Sequence, residues 1–284
     1  MSINRSNNNA SPEFLFILGG ISQYSGAATA VGLFENIRPG GVALLRVLAA
    51  ALAIIFFRRS WKRKWNKKDL LWASAFGIVL AAMNLSIYLA IELLPLGNAV
   101  AIEFLGPIAV AAIGARTIKS VSSLGIASVG VIILAGVQPS GTALGILFAL
   151  IAGLMWAAYI VLGHQVARHG AAIDGLGVGM LVGAFVIAPF GISEMSTAFS
   201  SPNILGLALL TGVLSNVIPY SIDQNVLSRI SRSRFAFLQA LLPVTASVIG
   251  FLFLNQETSW AEMGGISLVI AAILIRSSDH SQLK

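Results

Sequence analysis

The chain has 284 residues, of which 57% are hydrophobic and only 10% are charged, and it contains no Cys. A soluble domain carries about 25% charged residues, so this composition excludes an ordinary soluble domain and places the chain in a lipid bilayer. The absence of Cys excludes disulfides, a thiol nucleophile and a Cys-based metal site. In a soluble protein a net charge of +7 would indicate nucleic-acid binding. Here the cations cluster at the ends of apolar segments, as in membrane proteins.

Ten apolar segments are long enough for membrane-spanning helices, which need about 20 residues each. The predicted spans, numbered 1 to 10 in chain order, are 14–34, 39–57, 70–91, 95–115, 120–138, 142–163, 173–192, 203–227, 235–254 and 260–276. We therefore predict an all-α polytopic membrane protein with ten transmembrane helices. Its predicted parts are an N-terminal tail over 1–13, five-helix halves over 14–138 and 142–276, and a C-terminal tail over 277–284.

The distribution of cations predicts the orientation of these spans. The longest basic run, RRSWKRKWNKK at 58–68, follows span 2, and Lys and Arg collect in cytoplasmic loops. With ten alternating spans, sixteen of the 18 cations then lie on the cytoplasmic side, whereas Arg38 lies outside and Arg46 lies within span 2. The pattern predicts that both termini are cytoplasmic.

Spans 4 and 9 carry the same pattern at an offset of 136 residues. Glu103 lies four residues before Pro107, Gln239 lies four residues before Pro243, and a Gly follows each of these prolines after seven residues. Because five spans per half is an odd number, the two halves would cross the membrane in opposite directions. The pattern predicts a transporter built from two inverted five-helix repeats, related by a pseudo-two-fold axis in the membrane plane.

Two opposite charges lie at similar depth in the predicted spans. Arg46 is seven residues past Pro39 and Glu103 is eight residues past Pro95, so both lie about 10–12 Å from the outer surface. Charges in hydrocarbon are costly, so these side chains should face the protein interior or a water-filled cavity. Two compatible interpretations stay open: an ion pair that joins spans 2 and 4, and a cavity that offers a cation and an anion to a zwitterion. Glu103 is also a candidate proton carrier.

Other polar side chains follow helical spacing. Span 3 carries Asn84 and Tyr88 on one face, and span 8 carries Asn216, Tyr220 and Gln224 at intervals of four residues. Such stripes either bond neighbouring helices or line a cavity.

Gln23 is a further cavity candidate on span 1, and Trp156 and Tyr159 on span 6 either fill space or line the cavity. Asp223 lies near the inner end of span 8, where we expect an exposed interfacial carboxylate near Arg229 rather than a transport residue. The predicted substrate-binding or coupling residues are therefore Glu103, Arg46, Gln239, Asn84, Tyr88, Gln23, Tyr220, Asn216, Trp156 and Tyr159.

Prolines and glycines predict local helix geometry. Pro107, Pro219 and Pro243 remove helical hydrogen bonds, so they are predicted kinks, which serve as hinges, expose carbonyls to a cavity, or only bend the helix. A Gly at every fourth residue from Gly175 to Gly183 predicts close packing of span 7 against another helix.

The sequence contains no H-E-x-x-H, G-x-S-x-G or P-loop motif, and its three His are scattered. We therefore predict that the protein is not an enzyme and has no catalytic residues, cofactor or metal. The predicted partners are a small-molecule substrate and membrane lipids, not nucleic acid, and the oligomeric state stays open.

With ten spans, a five-plus-five repeat and a Pro-containing span 4, the chain resembles the drug/metabolite transporter superfamily of the EamA type. The segments MNLSIYLAIELLPLGNAVAIEFLGPIAVA at 83–111 and PYSIDQNVLSRI at 219–230 look more narrowly like bacterial threonine/homoserine exporters, which have Glu at the position of Asp223.

This resemblance implies an inner-membrane secondary transporter that exports threonine- or homoserine-like amino acids or related metabolites. It further implies alternating access driven by the proton gradient, through a cavity walled by spans 1, 3, 4, 6, 8 and 9. The alternatives are export of other small metabolites or lipophilic drugs and, more remotely, a membrane protein without transport activity.

Overall fold

The computed structural model describes residues 10–34, 36–94, 96–135, 142–168, 172–245, 248 and 259–277. Over these residues the chain is all-α, without a strand, which confirms the all-α part of the predicted fold class. The outer parts of both predicted tails, the predicted end of span 9 from residue 249 to 254 with Gly250, and Pro95 lie outside the described residues.

The helices of the described residues are numbered in chain order. They are α1 Pro12–Phe34, α2 Pro39–Arg58, α3 Lys67–Leu93, α4 Leu96–Glu103, α5 Leu105–Ile113, α6 Ile118–Ala135, α7 Ala143–Arg168, α8 Ala172–Ile187, α9 Met195–Ser200, α10 Pro202–Gly212, α11 Ile218–Leu227, α12 Arg232–Leu238 and α13 Trp260–Ser277. Helical turns also occur at Ser60–Lys62, Ala188–Phe190, Ile192–Glu194 and 241–245, and a π turn at Val213–Val217 joins α10 to α11.

These helices follow the predicted spans closely. Span 4 is divided into α4 and α5, span 8 into α10, the π turn and α11, and span 9 begins as α12. In the described part of the chain, five helical stretches are long and apolar enough to cross a membrane by length and composition. They are Pro39–Arg58, Lys67–Leu93, Ala143–Arg168, Ala172–Phe190 and Pro202–Leu227.

Several helix contacts join segments that are distant in the chain. Helix α3 packs against α7 and α8. Helices α10 and α11 pack against α1, and α10 also packs against α2. Two further contacts join α6 to α13 and α2 to α8.

The contact between α3 and α8 depends on glycine. A Cβ added at Gly179 would overlap the carbonyl of Ala73, and one added at Gly183 would overlap the carbonyl of Gly77. The two backbones therefore touch directly, and the predicted close packing is confirmed at these two positions, while Gly175 is buried.

The outer surface is apolar. Many helices carry large hydrophobic side chains that are exposed on the outside of the bundle. Among them are Phe57, Ile113, Ile118, Phe185 and Trp260. Soluble monomeric proteins rarely expose so much apolar surface. Where they do, the surface usually contacts a partner or a membrane. The polar side chains Arg46, Asn84 and Glu103 are buried instead, so the molecule has an apolar exterior and a partly polar interior.

Candidate functional site

A cavity of about 220 Å³ lies inside the bundle. Its walls come from α1, α2, α3, α4, α7, α11 and the segment that follows α12, so span 2 contributes in addition to the six spans implied by the family resemblance. The lining residues are Gln23, Tyr24, Arg46, Met83, Asn84, Ile87, Tyr88, Ile91, Val100, Glu103, Phe104, Trp156, Tyr159, Tyr220, Asp223, Gln239, Leu242 and Pro243. Nine of the ten predicted site residues therefore line one cavity, and the tenth, Asn216, lies behind it.

Arg46 is held at the cavity wall by the second half of the molecule. Its Nη2 donates a hydrogen bond of 3.0 Å to Asn216 Oδ1, and its guanidinium lies 5.5 Å from the centre of the Tyr88 ring. Its Nε is buried and has no hydrogen-bond partner in the part of the chain that the structure describes. A guanidinium has five N–H donors, so most of the donors of Arg46 remain free for an anionic group.

The predicted ion pair between Arg46 and Glu103 is not present, although the structure describes both residues. Both side chains line the same cavity, as predicted, but Arg46 is bonded to Asn216 on span 8 rather than to span 4. The interpretation of the pair as a strut between spans 2 and 4 is therefore wrong. Both charges remain available inside the cavity.

Asn216 owes its position to an irregular stretch of helix. Pro219 has no N–H to bond the carbonyl four residues earlier, and the chain forms the π turn Val213–Val217 just before it. Asn216 lies in this turn, fully buried, and accepts from Arg46. The predicted polar stripe of span 8 therefore divides: Tyr220 lines the cavity, whereas Asn216 and Gln224 are buried outside its lining.

Glu103 lies at the end of α4, immediately before an interruption of the helix at Phe104. Pro107 causes this interruption, because it has no N–H to bond the carbonyl of Glu103. A Cβ added at Gly153 of α7 would lie 2.8 Å from that carbonyl oxygen, so a glycine is needed for α7 to pack there. The Glu103 side chain is 9% exposed and has no hydrogen bond or ion pair with the described residues.

Gln239 occupies the matching place in the second half. The helix is interrupted at 239–240, after α12 ends at Leu238 and before Pro243. Gln239 is 1% exposed, and its Oε1 has no hydrogen-bond partner within the described residues. Glu103 and Gln239 thus each place a side-chain oxygen that has no partner among the described residues beside a proline-induced helix interruption.

Asn84 and Tyr220 connect the two halves at the cavity wall. Asn84 Nδ2 donates to the carbonyl of Leu80 at 2.9 Å and to the hydroxyl of Tyr220 at 3.3 Å. The two residues are 136 positions apart, which is also the offset between Glu103 and Gln239.

Asp223 also lines the cavity, so the prediction of an exposed interfacial carboxylate is wrong. Its Oδ2 accepts a hydrogen bond of 2.8 Å from the hydroxyl of Tyr159. The Tyr159 ring packs between two other rings. Its centre lies 5.2 Å from the centre of the Phe76 ring and 5.6 Å from that of the Tyr220 ring. The spacing in the sequence contains the missed signal, because Asp223 follows Tyr220 by three residues and so lies on the same face of α11.

Polar contacts join the helices at the end of the bundle where α5 ends and α12 begins. Arg234 Nη2 bonds Glu13 Oε1 at 3.0 Å, Ser233 Oγ donates to the carbonyl of Ala111 at 2.8 Å, and Arg276 Nη2 donates to Ser233 Oγ at 3.1 Å. The cavity extends away from this end, to Ile91 near the C-terminal end of α3. In the described part of the chain, no group of three His, Cys, Asp or Glu side chains could hold a metal ion.

Comparisons with known proteins agree with this arrangement. The model of the EamA-like transporter family matches residues 143–278. The threonine/homoserine exporter RhtA of Salmonella typhimurium strain LT2 is 34% identical over 269 residues, which cover 92% of this chain and 89% of that protein. RhtA of Escherichia coli strain K12 is 32% identical over 265 residues, with the same coverage of 92% and 89%.

A solved crystal structure matches the fold with a TM-score of 0.73, covering 96% of this chain and 98% of its own chain at 16% identity. This likeness concerns the fold alone. The named relatives are transporters, which confirms the resemblance inferred from the two segments and the prediction that the chain is not an enzyme.

Proposed function

The chain belongs to the EamA-like transporter family, and on that premise we propose that it exports small neutral amino acids of the threonine and homoserine class. It is a multi-pass protein of the bacterial inner membrane. The observation that carries the proposal is the interior cavity. In a largely apolar bundle, it presents an Arg46 guanidinium with free donors and a Glu103 carboxylate that has no partner among the described residues.

The charges of the cavity complement those of a zwitterion. The carboxylate of an amino acid can take two parallel hydrogen bonds from the free donors of Arg46, and its ammonium can bind Glu103. Gln239 Oε1 offers a further acceptor, since it has no partner within the described residues. Both charges of the substrate are then compensated inside the bundle, which is the condition for carrying a zwitterion through hydrocarbon.

The size of the cavity favours a small substrate. A volume of 220 Å³ corresponds to about seven water molecules, at about 30 Å³ per water. The number of non-hydrogen atoms in threonine or homoserine is close to this number of water molecules, so either amino acid fits the cavity. Sites for drug-sized molecules usually measure about 300–1,000 Å³, so the cavity favours an amino acid over a bulky lipophilic drug.

The transport cycle we infer is alternating access between two inverted five-helix repeats, in a ten-span chain whose termini are cytoplasmic. The packing of the helices supports this cycle. Helix α3 packs against α7 and α8, and its proposed counterpart, α10 with α11, packs against α1 and α2. The matching interruptions at Glu103 and Gln239 support the same repeat and would act as hinges. The polar contacts around Ser233 then close the cytoplasmic end, and export is driven by protons that move inward.

Reconstitution into proteoliposomes tests the proposal. Vesicles loaded with unlabelled threonine should take up labelled threonine by exchange, and homoserine should compete with it. An imposed proton gradient, acid inside, should drive net accumulation. Glu92→Gln is the matched control for variants of Glu103, because Glu92 is exposed at the end of α3 and does not line the cavity. Uptake of lipophilic cations without any amino-acid exchange would reject the proposal in favour of a drug exporter.

A further inference from the structure

The cavity contains a second carboxylate that the binding of a zwitterion does not use. Asp223 lines the cavity from α11, whereas Glu103 lines it from α4. Its Oδ2 accepts from Tyr159, and its Oδ1 has no partner among the described residues. Neither carboxylate is paired with Arg46, whose hydrogen bond goes to Asn216.

Several contacts fix the position of Asp223 precisely enough for recognition. Tyr159 is 1% exposed, and its ring stacks on the Phe76 ring with the ring centres 5.2 Å apart. Tyr220 lies one turn before Asp223 on α11 and is held by Asn84. An acceptor that is held by its neighbours gives more discrimination than a mobile one, because little side-chain freedom is lost when it binds.

With Glu103 assigned to the substrate ammonium, Asp223 is the strongest remaining acceptor for a substrate hydroxyl. Asn84 already directs its amide hydrogens to Leu80 and Tyr220. A carboxylate accepts a hydrogen bond about twice as strongly as a neutral group does. A site built to bond a substrate hydroxyl discriminates against an analogue without it, since the buried acceptor is then left unpaired.

We propose that Asp223, positioned by Tyr159, is the side-chain subsite of the cavity and selects amino acids that carry a hydroxyl. The inference rests on the proposed function, in which Arg46 and Glu103 bind the carboxylate and ammonium of the same substrate. The hydroxyl of threonine or homoserine donates to the free Oδ1 of Asp223, while Oδ2 keeps its hydrogen bond from Tyr159. The ligand class is thus a small 2-amino acid with a hydroxyl on its third or fourth carbon.

The experiment compares homoserine with 2-aminobutyrate, which has the same carbon skeleton and lacks the hydroxyl. Both compete with labelled threonine for exchange in proteoliposomes. The wild-type protein should prefer homoserine by about tenfold or more, as expected for a hydrogen bond to a charged group. Asp223→Leu keeps the branching at Cγ, removes both acceptor oxygens and should bring the preference close to one. Asp223→Asn retains an acceptor oxygen and should keep much of the preference for homoserine.

The ratio of the two competitors separates recognition from a structural role, because misfolding weakens both equally. Tyr159→Phe should reduce the ratio without abolishing exchange, since Asp223 remains but loses its only described partner. Asn225→Leu is the matched control on α11, outside the cavity lining, and should leave the ratio unchanged.

Two results would overturn the inference while leaving the proposed function intact. One is an unchanged homoserine preference in Asp223→Leu. The other is an equal loss of both competitors in that variant, which would assign Asp223 to ammonium binding or to the fold. Failure of the wild-type protein to exchange any amino acid would instead reject the proposed function itself.

Discussion

Replacing Arg46 with Lys keeps the positive charge in the cavity and removes the planar fork of donors. In the structure one guanidinium nitrogen is bonded to Asn216, and Arg46 is only 8% exposed. The remaining donors can reach both oxygens of a substrate carboxylate, whereas a Lys ammonium is a point charge on a flexible stem. The variant should lose at least one charge-assisted hydrogen bond, worth about 1.5–3 kcal/mol. Threonine binding should therefore weaken roughly 10- to 150-fold.

The assay is competition by unlabelled threonine against labelled threonine in exchange, with equal amounts of reconstituted protein. Arg58→Lys is the matched control, because Arg58 is 54% exposed and its 3.6 Å contact with Asp174 lies far from the cavity lining. The control should bind threonine like the wild-type protein. If Arg46→Lys also has wild-type affinity, the substrate carboxylate does not bind the guanidinium through two bonds, and the assignment of Arg46 is wrong.

Glu103→Gln keeps the shape of the side chain and removes its charge, so threonine transport should fall at least tenfold with normal membrane insertion; unchanged transport would leave Glu103 only a structural role. Single cysteines at Lys62 and Arg168 in this Cys-free chain should react with an impermeant thiol reagent only from the cytoplasmic side, and labelling in intact cells would contradict the topology. Gly179→Ala should lower the free energy of unfolding in detergent by about 1–3 kcal/mol, because the added Cβ overlaps a backbone carbonyl of α3. Gly206→Ala should leave it unchanged, because a Cβ at Gly206 has nothing within 4 Å.

The bounds of the helices were predictable from the sequence because the length of each hydrophobic segment and the charges that flank it constrain them directly. The described helices therefore begin and end close to the predicted spans, as α2 does at Pro39 and Arg58. The apolar sequence around Arg46 and Glu103 also predicted that both line a cavity, since a charge within an apolar helix has to face the interior. Prolines likewise predicted the interruption at Phe104, because the loss of a backbone N–H is a local effect.

Rotation about the helix axis was harder to predict, because it depends on packing between distant segments. Equal depth suggested a bond between Arg46 and Glu103, but α2 presents Arg46 to Asn216 instead. Asp223 was assigned to the interface from its distance to the end of span 8. Its angular position beside Tyr220 on α11, rather than its depth, brings it into the cavity.

The hydrogen bond between Asn84 and Tyr220 joins residues that the proposed repeat treats as equivalents. Equivalent residues that touch each other lie at the two-fold axis itself. If the halves exchange conformations as in the proposed cycle, such a contact is carried onto itself and would persist through the whole cycle as a pivot. The proposed repeat also makes Glu103 and Gln239 equivalents, but one is an acid and the other an amide. In that cycle the exchange would regenerate the shape of the cavity without regenerating its electrostatic potential, and the two membrane faces would meet binding sites of unequal affinity.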